Sequence, residues 1–243
     1  MEFNGKVVVV TGAGQGLGAG CAKEFAEQGA HVVLVGRTAS KLEVITKEIR
    51  ETGGKAIAYR CDVGDHEDVA KVFADIQKDL GKVDVLVNNA AVHKSMPVQD
   101  TSVEDWDMII RINLSGTFYC IKAVLPGMIE RQFGKIINIS SNSAKFFYPG
   151  FGAYASSKGG QVSLTRILSE EVKQHNINVN AVYLGMTNTE KTRERIMEDD
   201  PAIQWKFEDM LQVDDAARVV AFLASEAAKP IMGAAVDVDG PIH

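Results

Sequence analysis

The stretch Lys6-Val7-Val8-Val9-Val10-Thr11-Gly12-Ala13-Gly14-Gln15-Gly16-Leu17-Gly18 decides the fold. Its β-branched start, Lys6 to Val10, predicts a strand, and the apolar pattern from Leu17 to Gln28, stopped by Gly29, predicts a helix. The glycines between them permit a tight turn and let backbone N–H groups approach a pyrophosphate with no Cβ in the way. The amino terminus of the helix adds partial positive charge at the same place. A glycine-rich loop between the first strand and first helix is therefore a phosphate cradle, with Gly12, Gly14, Gln15, Gly16, Leu17 and Gly18 as candidate cofactor-binding residues.

The same alternation runs through the rest of the chain. Further strands are expected at His31 to Val35, Ala56 to Arg60, Val83 to Asn88, Lys135 to Ser140, Asn178 to Tyr183 and Ala234 to Val238. Helical patterns lie between them, including Ala39 to Glu51, which Gly53 and Gly54 stop, and a long stretch from Val103 to Gln132 that Pro126 is expected to bend or break. Strand and helix in turn signify a parallel sheet covered on both faces. The expectation is one doubly wound α/β domain over residues 1–243, with a seven-stranded parallel sheet and no linker, repeat or low-complexity segment.

Composition narrows the partners. With 243 residues, 46% hydrophobic, and a net charge of −6 without any run of like charges, the chain points away from nucleic acid and acidic membranes and towards a small soluble substrate. The start Met-Glu-Phe-Asn-Gly-Lys has no basic leader or cleavage-like site, and no unbroken apolar run approaches the roughly 18 to 20 residues of a membrane span, so a cytoplasmic protein is expected. Cys21, Cys61 and Cys120 lack CxxC spacing and read as small core residues, and the five histidines show no ligand spacing, so no protein-bound metal is expected.

Two local signals carry chemistry. Where an acid after the second strand would hold the ribose of NAD, the chain has Gly36-Arg37-Thr38, and the Arg37 guanidinium suits the 2′-phosphate of NADP, although Gln15 adds no second positive charge. Downstream, Tyr154 and Lys158 stand four apart, which on a helix places an ammonium beside a phenol and favours the phenolate. Ser141 stands at a fitting distance upstream to complete a proton-transfer site.

These motifs, taken in order, resemble the short-chain dehydrogenase/reductase family in its compact form, over essentially the whole chain. Thr11 to Gly18 resembles its TGxxxGxG loop, and Asp62-Val63 the pair that contacts adenine. Asn88-Asn89-Ala90-Ala91 resembles NNAG, which braces the sheet and passes behind the cofactor. Ser141, Tyr154 and Lys158 fill the Ser and YxxxK positions, and Asn113 that of a helix Asn holding a relay water. Asn180 to Gly185, with Thr187 and Thr189, resembles the turn at the nicotinamide end.

The resemblance implies a Rossmann-type fold and hydride transfer between nicotinamide and a ketone or secondary alcohol. It implies Tyr154 as proton donor, Ser141 holding the carbonyl oxygen, Lys158 lowering the tyrosine pKa and anchoring the ribose, and Asn113 linking Lys158 through water to solvent. Asn89, Ala90, Tyr154, Lys158, Gly185, Thr187 and Thr189 would join Arg37, Asp62, Val63 and the loop in binding cofactor, and a homo-oligomer, tetramer or dimer, would be usual. Three positions depart from the pattern: Leu184-Gly185 for Pro-Gly, Ala91 for Gly, and Asp239-Gly240-Pro241 for DGG, with a tail ending at His243.

Ser141, Ser143 and Tyr154 are the substrate-binding candidates, with His93, Met96, Phe147, Tyr148 and Tyr183 as further pocket-lining residues. Glu190 to Met210 is a candidate lid anchored by Trp205 and Phe207. The expected function is an NADP-preferring ketone reductase or alcohol dehydrogenase, resembling 3-oxoacyl thioester reductases. A polyol or sugar dehydrogenase of the same family, and a dinucleotide sensor without catalysis, stand as alternatives.

Overall fold

Seven runs rich in Val, Ile and Ala pair side by side in a computed structural model of the chain, which describes residues 1–199 and 207–240. The strands are β1 (Val7–Thr11), β2 (His31–Gly36), β3 (Lys55–Arg60), β4 (Val85–Asn88), β5 (Gly134–Ile139), β6 (Ile177–Leu184) and β7 (Ala235–Val238). Every pairing is parallel, in the order β3-β2-β1-β4-β5-β6-β7. The chain winds outward from β1 to β3, then returns to place β4 on the other side of β1. That reversal opens a crevice beyond the carboxyl ends of β1 and β4, where a doubly wound sheet binds its ligand.

Parallel strands need helical crossovers, and these cover both faces. They are α1 (Gly16–Glu27), α2 (Ala39–Glu51), α3 (His66–Leu80), α4 (Val103–Ile110), α5 (Gly116–Arg131), α6 (Gly152–Val172), α7 (Glu190–Asp199) and α8 (Val213–Ala224). Alternate side chains of one strand enter opposite cores: Val8 and Val10 pack with Phe25, Leu42 and Val220 on one face, while Val7 and Val9 pack with Phe73, Ile121 and Met128 on the other. Burial on both sides is why the strands read as unbroken apolar runs rather than alternating ones. Cys21, Cys61 and Cys120 are all buried, and burial drives the Cys61 thiol up to about 12.

The expected break at Pro126 does not occur. α5 continues through it to Arg131. Pro126 and Lys122, whose carbonyl loses its N–H partner to the proline ring, both lie on the exposed side, where water can satisfy the carbonyl. The irregularity falls earlier, at Arg111–Ser115, a π-helical turn joining α4 to α5. By length and hydropathy the combined helix Val103–Arg131 could cross a membrane, but Ile112, Ile121, Val124 and Met128 belong to the core beneath the sheet.

At the opposite end of the sheet from the crevice, Asp84 staples β1 to β4 and β5. Its carboxylate accepts the Val7 N–H at 2.8 Å and pairs with Lys82 at 2.9 Å. Its backbone N–H donates to Val7 O and its carbonyl accepts from Lys135 N. Asp84→Ala leaves the buried Val7 N–H without its acceptor, so unfolding stability should fall by roughly 1–3 kcal/mol, seen as a lower urea midpoint with an unchanged m-value.

Candidate active site

The glycine loop is held open from behind. Thr11 Oγ accepts the backbone N–H groups of Asn89 (3.0 Å) and Ala90 (3.1 Å), and Asn89 Nδ2 donates to the carbonyls of Thr11 (3.0 Å) and Gly12 (3.3 Å). Gly12 sits at φ +67°, and a Cβ there would meet Ala90 Cα at 2.9 Å. A Cβ at Gly18 would strike the Gly12 carbonyl and the Asn89 amide, so Gly18 supports the loop from beneath while its neighbours face the crevice. Asn88 braces the sheet below, donating to Asn138 Oδ1 at 2.9 Å.

In front of the loop lies a cavity of about 720 Å³. Gly12, Gly14, Gln15, Gly16, Leu17, Arg37, Asp62, Val63, Asn89, Ala90 and Thr189 line it, which brings together all but Gly18 of the candidates expected around the nucleotide's phosphates and adenosine. Lys41 lines it too, and its Nζ bonds Gln15 Oε1. This second cation is invisible in the glycine loop's own sequence, because Lys41 enters from the first turn of α2, four residues beyond Arg37.

A smaller cavity, about 280 Å³, adjoins the first, and Leu17 and Thr189 line both. Ser141 and Tyr154 face this space with His93, Tyr148, Phe151, Leu184, Gly185 and Thr187. Ser141 follows β5 and caps a short turn, Asn142–Ala144; its Oγ accepts both the backbone N–H (3.2 Å) and the hydroxyl (3.0 Å) of Ser143. With both lone pairs occupied, the Ser141 hydroxyl proton must point elsewhere. The His93 ring lies 4.8 Å from that of Tyr154, nearly perpendicular to it, so the histidine belongs to the cleft wall rather than the outer surface.

Lys158 stands one turn beyond Tyr154 on α6, with its Nζ 5.7 Å from the Tyr154 ring centroid. It is 2% exposed, and its Nζ donates to Ile139 O at 2.6 Å and to Gln161 Oε1 at 3.1 Å. Burial alone pushes its pKa down to about 7. Asn113, in the π-helical turn, clasps Val92 through two bonds (2.8 and 2.9 Å) and donates to Ser157 Oγ at 3.0 Å. The Gln161 carboxamide bonds both the Asn113 carbonyl and Lys158 Nζ.

Other expected pocket residues fall elsewhere. Ser143 is buried behind Ser141, and Tyr183 packs on Val162 and Ala181, because its strand parity turns it away from the cleft. Phe147 is 99% exposed, and Met96 braces the loop, its N–H donating to Gly150 O. The turn with Leu184 in place of proline is tied at both sides: Gly185 N–H donates to Val238 O (2.9 Å), and Thr187 Oγ donates to Gly185 O (3.1 Å). A Cβ at Gly185 would meet the Asp239 carboxylate and force that side chain to move. Of the candidate lid, α7 contributes Glu190, Lys191 and Glu194 to the larger cavity and Thr192 to the smaller; Phe207 is half-buried in a short turn, and Trp205 lies outside the described residues, as does the tail from Pro241.

The chain is similar to known proteins along nearly its whole length. The profile of the family described as short chain dehydrogenase matches residues 6–200. A 3-oxoacyl-acyl-carrier-protein reductase of Thermotoga maritima is 32% identical, covering 99% of this chain and 98% of the relative. Meso-2,3-butanediol dehydrogenase of Serratia marcescens is 34% identical, covering 99% and 95%. Among solved structures, a variant of actinorhodin polyketide ketoreductase with NADPH superimposes with a TM-score of 0.90 at 31% identity, covering 97% of this chain and 96% of that one.

Burial of Lys158 has a thermodynamic signature. Between its native pKa near 7 and its unfolded value of 10.5, the unfolded chain holds a proton that the native protein has released. Stability should therefore rise with pH across that window, by up to about 1.4 kcal/mol per unit for this one group. Urea unfolding of the ligand-free protein at pH 7, 8 and 9 should show that rise relative to Lys158→Met; equal slopes would mean the lysine stays charged when buried.

Proposed function

The chain belongs to the short-chain dehydrogenase/reductase family, oxidoreductases that bind a nicotinamide dinucleotide and interconvert alcohols and ketones, and from that premise we propose an NADP-preferring carbonyl reductase with Tyr154 as proton donor. The nicotinamide, when bound, supplies or accepts the hydride. The glycine cradle fits its pyrophosphate: Gly12 and Gly18 pack so closely against Asn89 and Ala90 that side chains would fill the space, which leaves backbone N–H groups at the helix end facing the cavity. The observation that carries the reading is that Tyr154 and Ser141 line one cavity, which shares Leu17 and Thr189 with the cavity in front of that cradle, with Lys158 buried behind the phenol.

Reduction of a ketone turns its oxygen into an alkoxide, which needs one proton. Tyr154 gives it from the phenol, and a charged Lys158 favours the tyrosinate left behind. Ser141 donates a second hydrogen bond to the same oxygen, its proton being free for this because both lone pairs are taken by Ser143. Ser143 thus acts through Ser141 rather than by touching substrate. In reverse, tyrosinate takes the hydroxyl proton of a secondary alcohol.

The smaller cavity has no Lys, Arg, Asp or Glu among its described lining residues, which favours uncharged carbonyl compounds, the 3-oxo group of a thioester included. Asn142, Thr187 and Thr192 on the same wall support a polyol as the second reading, alongside the similarity to butanediol dehydrogenase. Phe118 on α5 and Ile167 on α6 are 45% and 62% exposed, and a homo-oligomer that covers them forms part of the proposal.

Three outcomes test it. Initial rates across ketone, acyl-thioester and polyol panels should show turnover; none in any panel, with NADPH still bound, would leave a sensor. Tyr154→Phe should lower kcat by about 10²–10⁴-fold while the Kd for NADPH, read by fluorescence, stays within about twofold; retained turnover would sink the assignment. Arg37→Ala and Lys41→Ala each remove a charge-assisted contact to the 2′-phosphate, and should weaken NADPH by roughly 10- to 100-fold with NADH unaffected, whereas equal losses for both cofactors would mean neither reads the phosphate.

A further inference from the structure

Three residues beyond Lys158, on the same face of α6, lies a side chain that neither the motifs nor the mechanism uses. Gln161 is fully buried. Its Nε2 donates to the Asn113 carbonyl at 2.8 Å and to Thr117 Oγ at 2.6 Å, and the Thr117 hydroxyl spends its own proton on that same Asn113 carbonyl at 2.8 Å. Both amide hydrogens therefore have oxygen acceptors, which leaves only one orientation for the carboxamide. Oε1 must face Lys158 Nζ, and it lies 3.1 Å away.

We propose that Gln161 is a positioning residue for Lys158: its carboxamide, locked by Asn113 and Thr117, clamps the amine against the Ile139 carbonyl and keeps it charged beside Tyr154. The clamp rests on the reading of Tyr154 and Lys158 as the proton-transfer pair. Its need follows from burial. An ammonium removed from water is unstable unless acceptors surround it, and two of its three N–H groups here go to carbonyl oxygens, one of strand β5 and one of Gln161. The titratable group against it is Tyr154 on its own helix, with the His93 ring behind that phenol. From the π-helical turn and α5 it is approached through neutral Asn113 and Thr117, and desolvation is the cause of its lowered pKa. A neutral acceptor is the device that opposes that desolvation without bringing a negative charge near the phenol, where a carboxylate would disfavour the tyrosinate.

Gln161→Met keeps the length and removes the acceptor; Thr117→Val keeps the glutamine and removes one of its anchors. The first readout needs no turnover: the Lys158 side chain, isotopically labelled and assigned by comparison with Lys158→Met, is titrated by NMR in the ligand-free protein. Its midpoint should fall by about one pH unit in Gln161→Met, a tenfold loss of proton affinity, and by less in Thr117→Val. The second is the pH profile of alcohol oxidation, whose rise with pH should move upward by a similar interval because tyrosinate loses its cation, with KM little changed. A wild-type midpoint and profile in a variant that folds would reduce Gln161 to packing and overturn the proposal. Should Gln161→Met fail to fold, Thr117→Val decides by the same two readouts. A shifted lysine midpoint in a protein without any turnover would sink the proton-transfer reading and leave the clamp standing.

Discussion

The structure depends on β1 pairing with β2 on one side and β4 on the other. Because both pairings are parallel, both strands deliver their carboxyl ends to the same edge, and the chain must leave that edge in opposite directions. The glycine loop departs one way and the Asn89 segment the other, and the four hydrogen bonds between Thr11, Gly12, Asn89 and Ala90 join them across the gap. Those bonds hold the loop's own backbone clear of the cavity. The crevice is thus a by-product of sheet order, and the glycines make its floor thin enough for a ligand to approach the backbone.

Chemistry is placed one strand further along. Ser141 stands two residues past the end of β5, and α6 crosses over that end so that Tyr154 and Lys158 face it from a single helix surface. Lys158 is buried, its Nζ held between the Ile139 carbonyl of β5 and the Gln161 carboxamide. Its pKa near 7 is the direct result. A lysine at the surface would keep its charge but could not hold a fixed position; buried, it is fixed but gives up its proton more readily. Acceptors supplied by rigid elements resolve that conflict, which is why its neighbours include a strand carbonyl and a carboxamide with no rotational freedom left.

Much of this was legible because it follows from residue type and period. Each strand was placed to within two residues, since a two-sided core demands apolar runs with glycine or polar breaks. Ala39–Glu51 was placed without error because its pattern and both stops are local. The π-helical turn at Arg111–Ser115 was not visible: no composition marks it, and the partners of its Asn113 side chain, Val92 and Ser157, lie far off in the chain. Pro126 misled for the complementary reason, since its effect depends on whether the freed carbonyl meets water. Tyr183 misled through parity, one residue deciding core or cleft. Lys41 and Gln161 were overlooked because each acts on a residue whose motif lies elsewhere, Gln161 on Asn113 across 48 positions of chain.

The division between strand ends and loops also explains how one third identity can extend equally to an acyl-carrier-protein reductase and a butanediol dehydrogenase. Proton donor, lysine and cradle stand on strand ends and helix starts, where a shift of one residue would dismantle the core beneath. Much of the wall of the smaller cavity comes from irregular segments instead: His93 from the loop after β4, Asn142 and Tyr148 from that after β5, and Met186, Thr187 and Thr189 from that after β6. Such segments change without disturbing the sheet. Chemistry and substrate choice are therefore encoded in separate parts of the chain, and the residues from these segments that line the smaller cavity include no Lys, Arg, Asp or Glu.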